Sequence, residues 1–421
     1  MKKIIALVLA MVLLTGCGGK QSASEDLMKN VTLPKENAFL SIGQDSPDAF
    51  DPATDTAWDN TQITDFGIRL LQASLEEGEN ILISPQSVLT ALAMTANGAR
   101  GETLSQMETV LGQSVAALNC WHKYSVMGRE GLLHTANGIW IKDDPQLSVN
   151  EEFLQTNLAY FDASVYKAPF DNTTLKQING FVEEHTDGMI KNILDKIPAV
   201  AEMYLVNALA LDAQWEEVYK GNQVRRGEFT TEDGVVQSVE LMYSKENLYL
   251  ENDLATGFQK PYKEGKTERY AFVALLPKEG VTVAELVQSL NGESLRQMLG
   301  NPQTITVNGA IPKFEGEYEV QMENVLKSMG MTDAFDSAKA DFSAMATHTD
   351  GNIFISRVIH KTYISLAEKG TKAGAATVVE AVRESAMEEE SKRVTLDRPF
   401  VYMILDTQTN TPVFLGTCME I

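Results

Sequence analysis

Glu368–Ser385 reads EKGTKAGAATVVEAVRES, a run of small residues beside β-branched valines that suits neither a regular helix nor an ordinary strand. Glycine and alanine weaken a strand, and paired valines weaken a helix. Taken with the two-residue period of a strand, however, the stretch sorts itself into two faces. Thr371, Ala373, Ala375, Thr377, Val379 and Ala381 form one face, and every member is small or apolar. Lys372, Gly374, Ala376, Val378, Glu380 and Val382 form the other, which takes both charges. A strand with one such clean face can be buried in a sheet, because no unpaired charge enters the interior. Gly370 and Gly374, with the alanines, leave the start of the stretch conformationally free.

The opposite end of the chain bears on location. Lys2 and Lys3 precede an apolar run, Ile4–Leu14, too short to remain as a spanning anchor, and Leu14-Thr15-Gly16-Cys17 follows. This is an export signal over residues 1–16, and LTGC resembles a bacterial lipobox, in which the new N-terminal Cys17 carries lipid. Residues 17–57 are polar, contain Pro34, Pro47 and Pro52, and are expected to be a lipidated, flexible tether. The chain is then exported and held at the bacterial cell envelope or surface by acyl chains alone.

Acidic residues number 58 against 35 basic ones, a net charge of −23; loss of Lys2 and Lys3 takes the basic count to 33 and the charge to −25. That field disfavours nucleic acid and anionic lipid and favours cationic partners. After Cys17 only Cys120 and Cys418 remain, far apart and outside any metal or redox spacing, and both are expected to be free thiols.

From Trp58 the texture becomes that of a folded domain over 58–421. ITDFGIRLLQASL, EEFLQTNLAYF, LKQINGFVEEHTDGMIKNIL and EVQMENVLKSMG have helical periodicity, and Ser84-Pro85 opens another helix that stops at Asn97-Gly98. HTANGIWI, AEMYLVNALAL, RYAFVALLP and PFVYMILD are strand-like. Strands scattered unevenly among helices, without βαβ alternation, indicate an α+β domain with large mixed sheets.

Catalytic chemistry is hard to find. The five histidines, His122, His134, His185, His348 and His360, fall in no paired metal spacing, and the chain has no GxSxG, no GxxxxGK[ST] and no GxGxxG behind a strand. No enzyme activity, cofactor or metal is expected.

Six ordered segments resemble one family, the serpins. They are NILISPQSVLTALAMTANGARGET, INGFVEEHTDGMIKNIL, YLVNALALDAQWEE, IPKFEGEYEVQMENVLKSMGM, SRVIHKTYISLAEKGTKAGAAT, and DRPFVYMILD with PVFLG. The resemblance implies three β-sheets, about eight to nine helices, and an exposed reactive-centre loop over about 368–392. It also implies an inhibitor of serine proteases that forms a covalent acyl complex as a monomer and traps it by inserting the cleaved loop into the main sheet. Loop insertion of this kind is a known serpin behaviour rather than something these residues establish alone. The hinge would be Glu368, Gly370, Thr371, Ala373, Ala375 and Ala376. Ser84, Ser87, Asn207 and His360 would form the network beneath the sheet that parts when the loop enters, and Trp215 would stand at its upper opening. Taken singly, each of these five residues is equally consistent with ordinary core packing.

With Glu368 as the hinge glutamate, family spacing puts the scissile bond at Glu384-Ser385. Arg383 would suit a trypsin-like protease and Val382 an elastase-like one, and the longer segment up to Pro399, with Glu388-Glu389-Glu390, keeps the three open. The alternative is a non-inhibitory serpin-fold surface binding protein. A bulky or charged hinge residue would mark it, and Thr371, Ala373 and Ala375 argue the other way.

Overall fold

The computed structural model describes residues 24–33, 60–123, 133–198, 200–263, 269–349, 352–371 and 390–421. The signal segment, Cys17, Ala373, Ala375, Ala376, Val382, Arg383, Glu384 and Ser385 lie outside the described residues.

Helix α1 (Thr61–Ser74) carries the first apolar face of the domain. Helix α2 (Pro85–Ala96) starts where Ser84 caps it, the hydroxyl accepting from Ser87 N at 3.3 Å, with Pro85 in the first turn where a missing N–H is tolerated. All its residues are buried, so it is an interior helix rather than an amphipathic one. The other helices are α3 (Gly101–Leu111), α4 (Val115–Trp121), α5 (Glu151–Phe161), α6 (Asn172–His185), α7 (Val283–Ser289), α8 (Gly292–Gly300) and α9 (Met322–Ser328). The described residues thus hold nine α-helices. Helix α6 is shorter than its periodicity suggests, because Asp187 and Gly188 take φ of 50° and 69°, which a helix cannot continue through.

Eight strands make the large sheet. Their order is β1 (Glu25–Asp26), β5 (Ser164–Ala168), β3 (Leu133–Lys142), β6 (Met203–Leu211), β15 (Arg357–Ala367), β16 (Gly370–Thr371) and β7 (Ala213–Gln214), with β13 (Phe314–Gln321) also paired to β15. A nine-stranded sheet runs β17 (Ser391–Thr395), β12 (Gln303–Pro312), β9 (Val236–Glu251), β10 (Ala255–Pro261), β11 (Tyr270–Pro277), β18 (Phe400–Asp406), β19 (Thr411–Cys418) and β2 (Ile81–Ile83), with β8 (Val224–Thr230) on β9. A third sheet pairs β14 (Ala346–His348) with β4 (Leu147–Val149). The expected α+β architecture with three sheets is the one observed.

Phe66, Leu70, Leu89 and Leu92 of α1 and α2 pack against Val273, Leu275, Met403 and Leu415 of the nine-stranded sheet. A second cluster, including Leu209, Trp215, Phe258, Tyr262, Phe272, Ile364, Leu366 and Tyr402, joins that sheet to the head of the large one. Burying each such side chain contributes roughly 1.5–3 kcal/mol, and their packing fixes how the two sheets meet.

The tether expectation needs correcting for residues 24–33. Glu25–Asp26 pair antiparallel with Lys167 and Tyr166 of β5, Leu27 N donates to Val165 O at 2.9 Å, and Leu27, Met28 and Val31 pack on the core. Backbone pairing to a free sheet edge has no periodic signature in two charged residues, so the sequence hides it. Cys120 and Cys418 are both free, as expected.

Candidate functional site

The junction between β15 and β6 organises the site. The two strands pair in parallel from Arg357↔Tyr204 to Thr362↔Leu209, and above that point they part. Into the gap comes β16, antiparallel to both neighbours: Leu366↔Thr371 and Ala367↔Gly370 on one side, Gly370↔Gln214 and Thr371↔Ala213 on the other. Gly370–Thr371, at the start of the expected hinge, are therefore already a short middle strand. Gly370 has φ 149°, and a Cβ there would meet Ala213 O at 1.9 Å, so only glycine permits this docking.

Thr371 is 1 % exposed and its hydroxyl lies 2.7 Å from that of Tyr262. Tyr262 is fully buried, which pushes its phenol far above the usual range, and its ring stacks on Trp215 at 4.4 Å and 13°. Trp215 holds the turn before the hinge: its Nε1 donates to Ala367 O at 2.9 Å and its backbone N to Lys369 O at 2.8 Å. Tyr219 N donates to Glu368 O at 2.9 Å. The Glu368 carboxylate pairs with Lys313, which also reaches Glu240 at 3.0 Å. Partial burial is the largest single influence and works against ionising both Glu368 and Lys313. Their mutual hydrogen bond and attraction, with a backbone hydrogen bond to Glu368 and the Glu240 contact to Lys313, together outweigh it, holding Glu368 below and Lys313 above the ordinary values.

Below the junction the four polar residues singled out in the sequence converge. Ser84 N donates to His360 Nε2 at 3.1 Å, Ser84 Oγ donates to Val413 O at 2.8 Å, and Ser87 Oγ donates to Asn207 Oδ1. Asn207 and His360 are paired neighbours across β6 and β15. Burial pushes the His360 pKa down to about 3, so the ring is neutral at physiological pH. Because Nε2 accepts, the proton sits on Nδ1, and that buried N–H has no hydrogen-bond partner among the described residues. Such an orphan costs roughly 1–3 kcal/mol.

Two groups thus emerge: Glu368, Gly370, Thr371 and Trp215 at the head of the sheet, and Ser84, Ser87, Asn207 and His360 beneath it. Sequence reasoning missed Tyr262, Lys313 and Glu240, and it missed Asn137, whose Oδ1 accepts from Asn207 Nδ2. Only Asn137 left a signal, as a polar residue in the strand HTANGIWI.

Residues 61–421 match the family model described as Serpin (serine protease inhibitor). The chain belongs to the serpin family. A solved thermophilic serpin, Tengpin in its native state, is 39% identical with a TM-score of 0.85 and covers 95% of this chain and 100% of its own. Tengpin in its latent state gives 0.73 over 86% of this chain and 97% of its own. Human Serpin B8 is 30% identical over 83% of this chain and 96% of its own length. Serine protease inhibition is the activity that the family description names. In this serpin β6 and β15 pair directly, so below the hinge no strand lies between them. Strand β17 pairs in parallel with β12, beginning at Ser391↔Thr306.

Proposed function

We propose that this serpin inhibits serine proteases as a suicide substrate, trapping the acyl-enzyme by inserting its cleaved loop between β6 and β15. The carrying observation is Thr371, buried in the middle register between Leu366 and Ala213. The protease serine oxygen bonds to the carbonyl carbon before the scissile bond, the C–N bond breaks, and the proton passes to the leaving amine. The remaining ester is carried away as the loop zips into the sheet. This serpin contributes no nucleophile of its own.

The hinge register supports that path. Each further loop residue would move one position back along β15 and along the β7–β6 chain. Six steps from Thr371 would bring Thr377 between His360 and Asn207, which now pair with each other. Thr377 shares the clean face of Thr371, and its hydroxyl is the kind of acceptor that the orphan His360 Nδ1–H lacks. Insertion would thus relieve an unpaired donor while adding hydrogen bonds on both edges of a new strand.

Elastase-like cleavage at Val382 and trypsin-like cleavage at Arg383 are favoured over Glu384-Ser385, because added loop length lets a protease sit at neighbouring bonds. The chain's negative field steers cationic enzymes of these classes. Incubation with elastase-, trypsin- and glutamyl-type proteases is expected to give an SDS-stable complex, and the mass of the released C-terminal peptide identifies the bond. Clean cleavage without a complex would overturn the inhibitor and favour a substrate-like or binding role.

The protein acts as an exported monomer anchored through lipid on Cys17, a reading supported by LTGC after the apolar run. Labelled palmitate should enter the wild type and not Cys17→Ser; label in both, or in neither, refutes the anchor.

A further inference from the structure

We propose that Tyr262 is a positioning residue that keeps the hinge docked before cleavage, so that the first rung of the inserted strand is preformed. The inference rests on the insertion mechanism above, but the docking itself is read from contacts that do not depend on it.

Tyr262 follows β10 directly and is fixed on three sides by backbone. Its N donates to Tyr270 O at 2.9 Å, Lys263 N donates to Gln214 O at 2.7 Å, and Glu216 N donates to Pro261 O at 3.1 Å. The ring is held by its stack on Trp215, and that platform is itself anchored. Beneath it lies Lys260, 2 % exposed, whose Nζ is 2.9 Å from Glu246 Oε1 and sits over the Tyr219 ring at 4.6 Å and the Trp215 ring at 5.5 Å. The phenol therefore cannot follow the hinge if the hinge leaves. Departure breaks the hydrogen bond that Thr371 makes at 2.7 Å to a hydroxyl that is fully buried while the hinge is docked.

Docking matters because zipping a strand into a sheet is hardest at its first pair, where chain entropy is lost before neighbouring pairs reward it. Gly370 and Thr371 have already made that pair on both edges. An undocked hinge must form it during the lifetime of the acyl ester, in competition with water. Losing the latch should therefore shift the outcome from trapped complex toward cleaved, released serpin, without altering attack on the scissile bond.

Tyr262→Phe removes one oxygen and keeps the ring stack. Hydrogen exchange of the full-length protein is expected to show the Thr371 amide exchanging about tenfold faster, as loss of one buried hydrogen bond implies. Amides of β11 should be unchanged. With the protease that forms the complex, the moles of serpin consumed per mole of enzyme inhibited should rise several-fold at an unchanged rate of loop cleavage. Thr371→Val should reproduce both effects, and the double variant should be no worse than either single one, because the two changes remove the same bond. Unchanged exchange in Tyr262→Phe overturns the latch. Faster exchange with unchanged consumption overturns its role in trapping. If the wild type forms no complex with any protease, the inhibitor reading fails, while the exchange result still decides whether Tyr262 docks the hinge.

Discussion

Thr371→Arg is expected to abolish the SDS-stable protease complex while the loop is still cut at its wild-type rate. Thr371 is 1 % exposed, hydrogen-bonded to Tyr262, and flanked by Leu366 and Ala213 in the sheet. An arginine there would have to bury its guanidinium beside Trp215 and Tyr262 or leave the sheet. The buried carboxylate of this platform, Glu246, is already engaged by Lys260 at 2.9 Å, Lys260 adds a like charge, and the Glu368 carboxylate is held by Lys313. An uncompensated buried charge costs about 3–5 kcal/mol. Each 1.36 kcal/mol changes a rate about tenfold, so insertion slows by more than roughly a hundredfold and hydrolysis of the ester wins. Gel analysis of the complex alongside mass spectrometry of the C-terminal peptide separates trapping from cutting. Wild-type complex yield in Thr371→Arg would sink the insertion mechanism; Thr371→Ser should retain it.

Lys260→Met should be the most destabilising single change near the hinge. Lys260 and Glu246 are 2% and 8% exposed in their side chains, with Nζ to Oε1 at 2.9 Å. Methionine fills the stem's volume and leaves Glu246 buried without a counter-charge, a loss of about 3–5 kcal/mol. Against a typical total of about 5–15 kcal/mol this is a large fraction, and the urea midpoint should fall accordingly. Adding Glu246→Leu should recover most of the loss, since an apolar pair of similar volume replaces both charges. A Lys260→Met midpoint within experimental error of wild type would show that the pair is not what holds this platform.

Much of the machine was legible in the chain. Ser84-Pro85 announced a capped helix, and α2 begins at Pro85 with Ser84 as its cap. Ser87, Asn207 and His360 stood out as polar residues in apolar runs, and they meet. Two other features had no local mark. Tyr262 and Thr371 are separated by more than a hundred residues, and Glu240, Lys313 and Glu368 come from three segments. Periodicity reports which face of an element is apolar, but it carries no information about which distant face will cover it.

For EKGTKAGAATVVEAVRES, the sequence alone determined that one face is free of charge, since side-chain parity along a strand follows from covalent geometry. It also determined, through Gly370 and Gly374, that the start of the stretch is conformationally free. Only the tertiary structure decided that Gly370–Thr371 already lie in a sheet, with the Thr371 hydroxyl against that of Tyr262. Docking depends on a gap left where β15 and β6 part, and on a buried hydroxyl set there by the packing of the second sheet. Both are products of long-range packing, which no local stretch specifies.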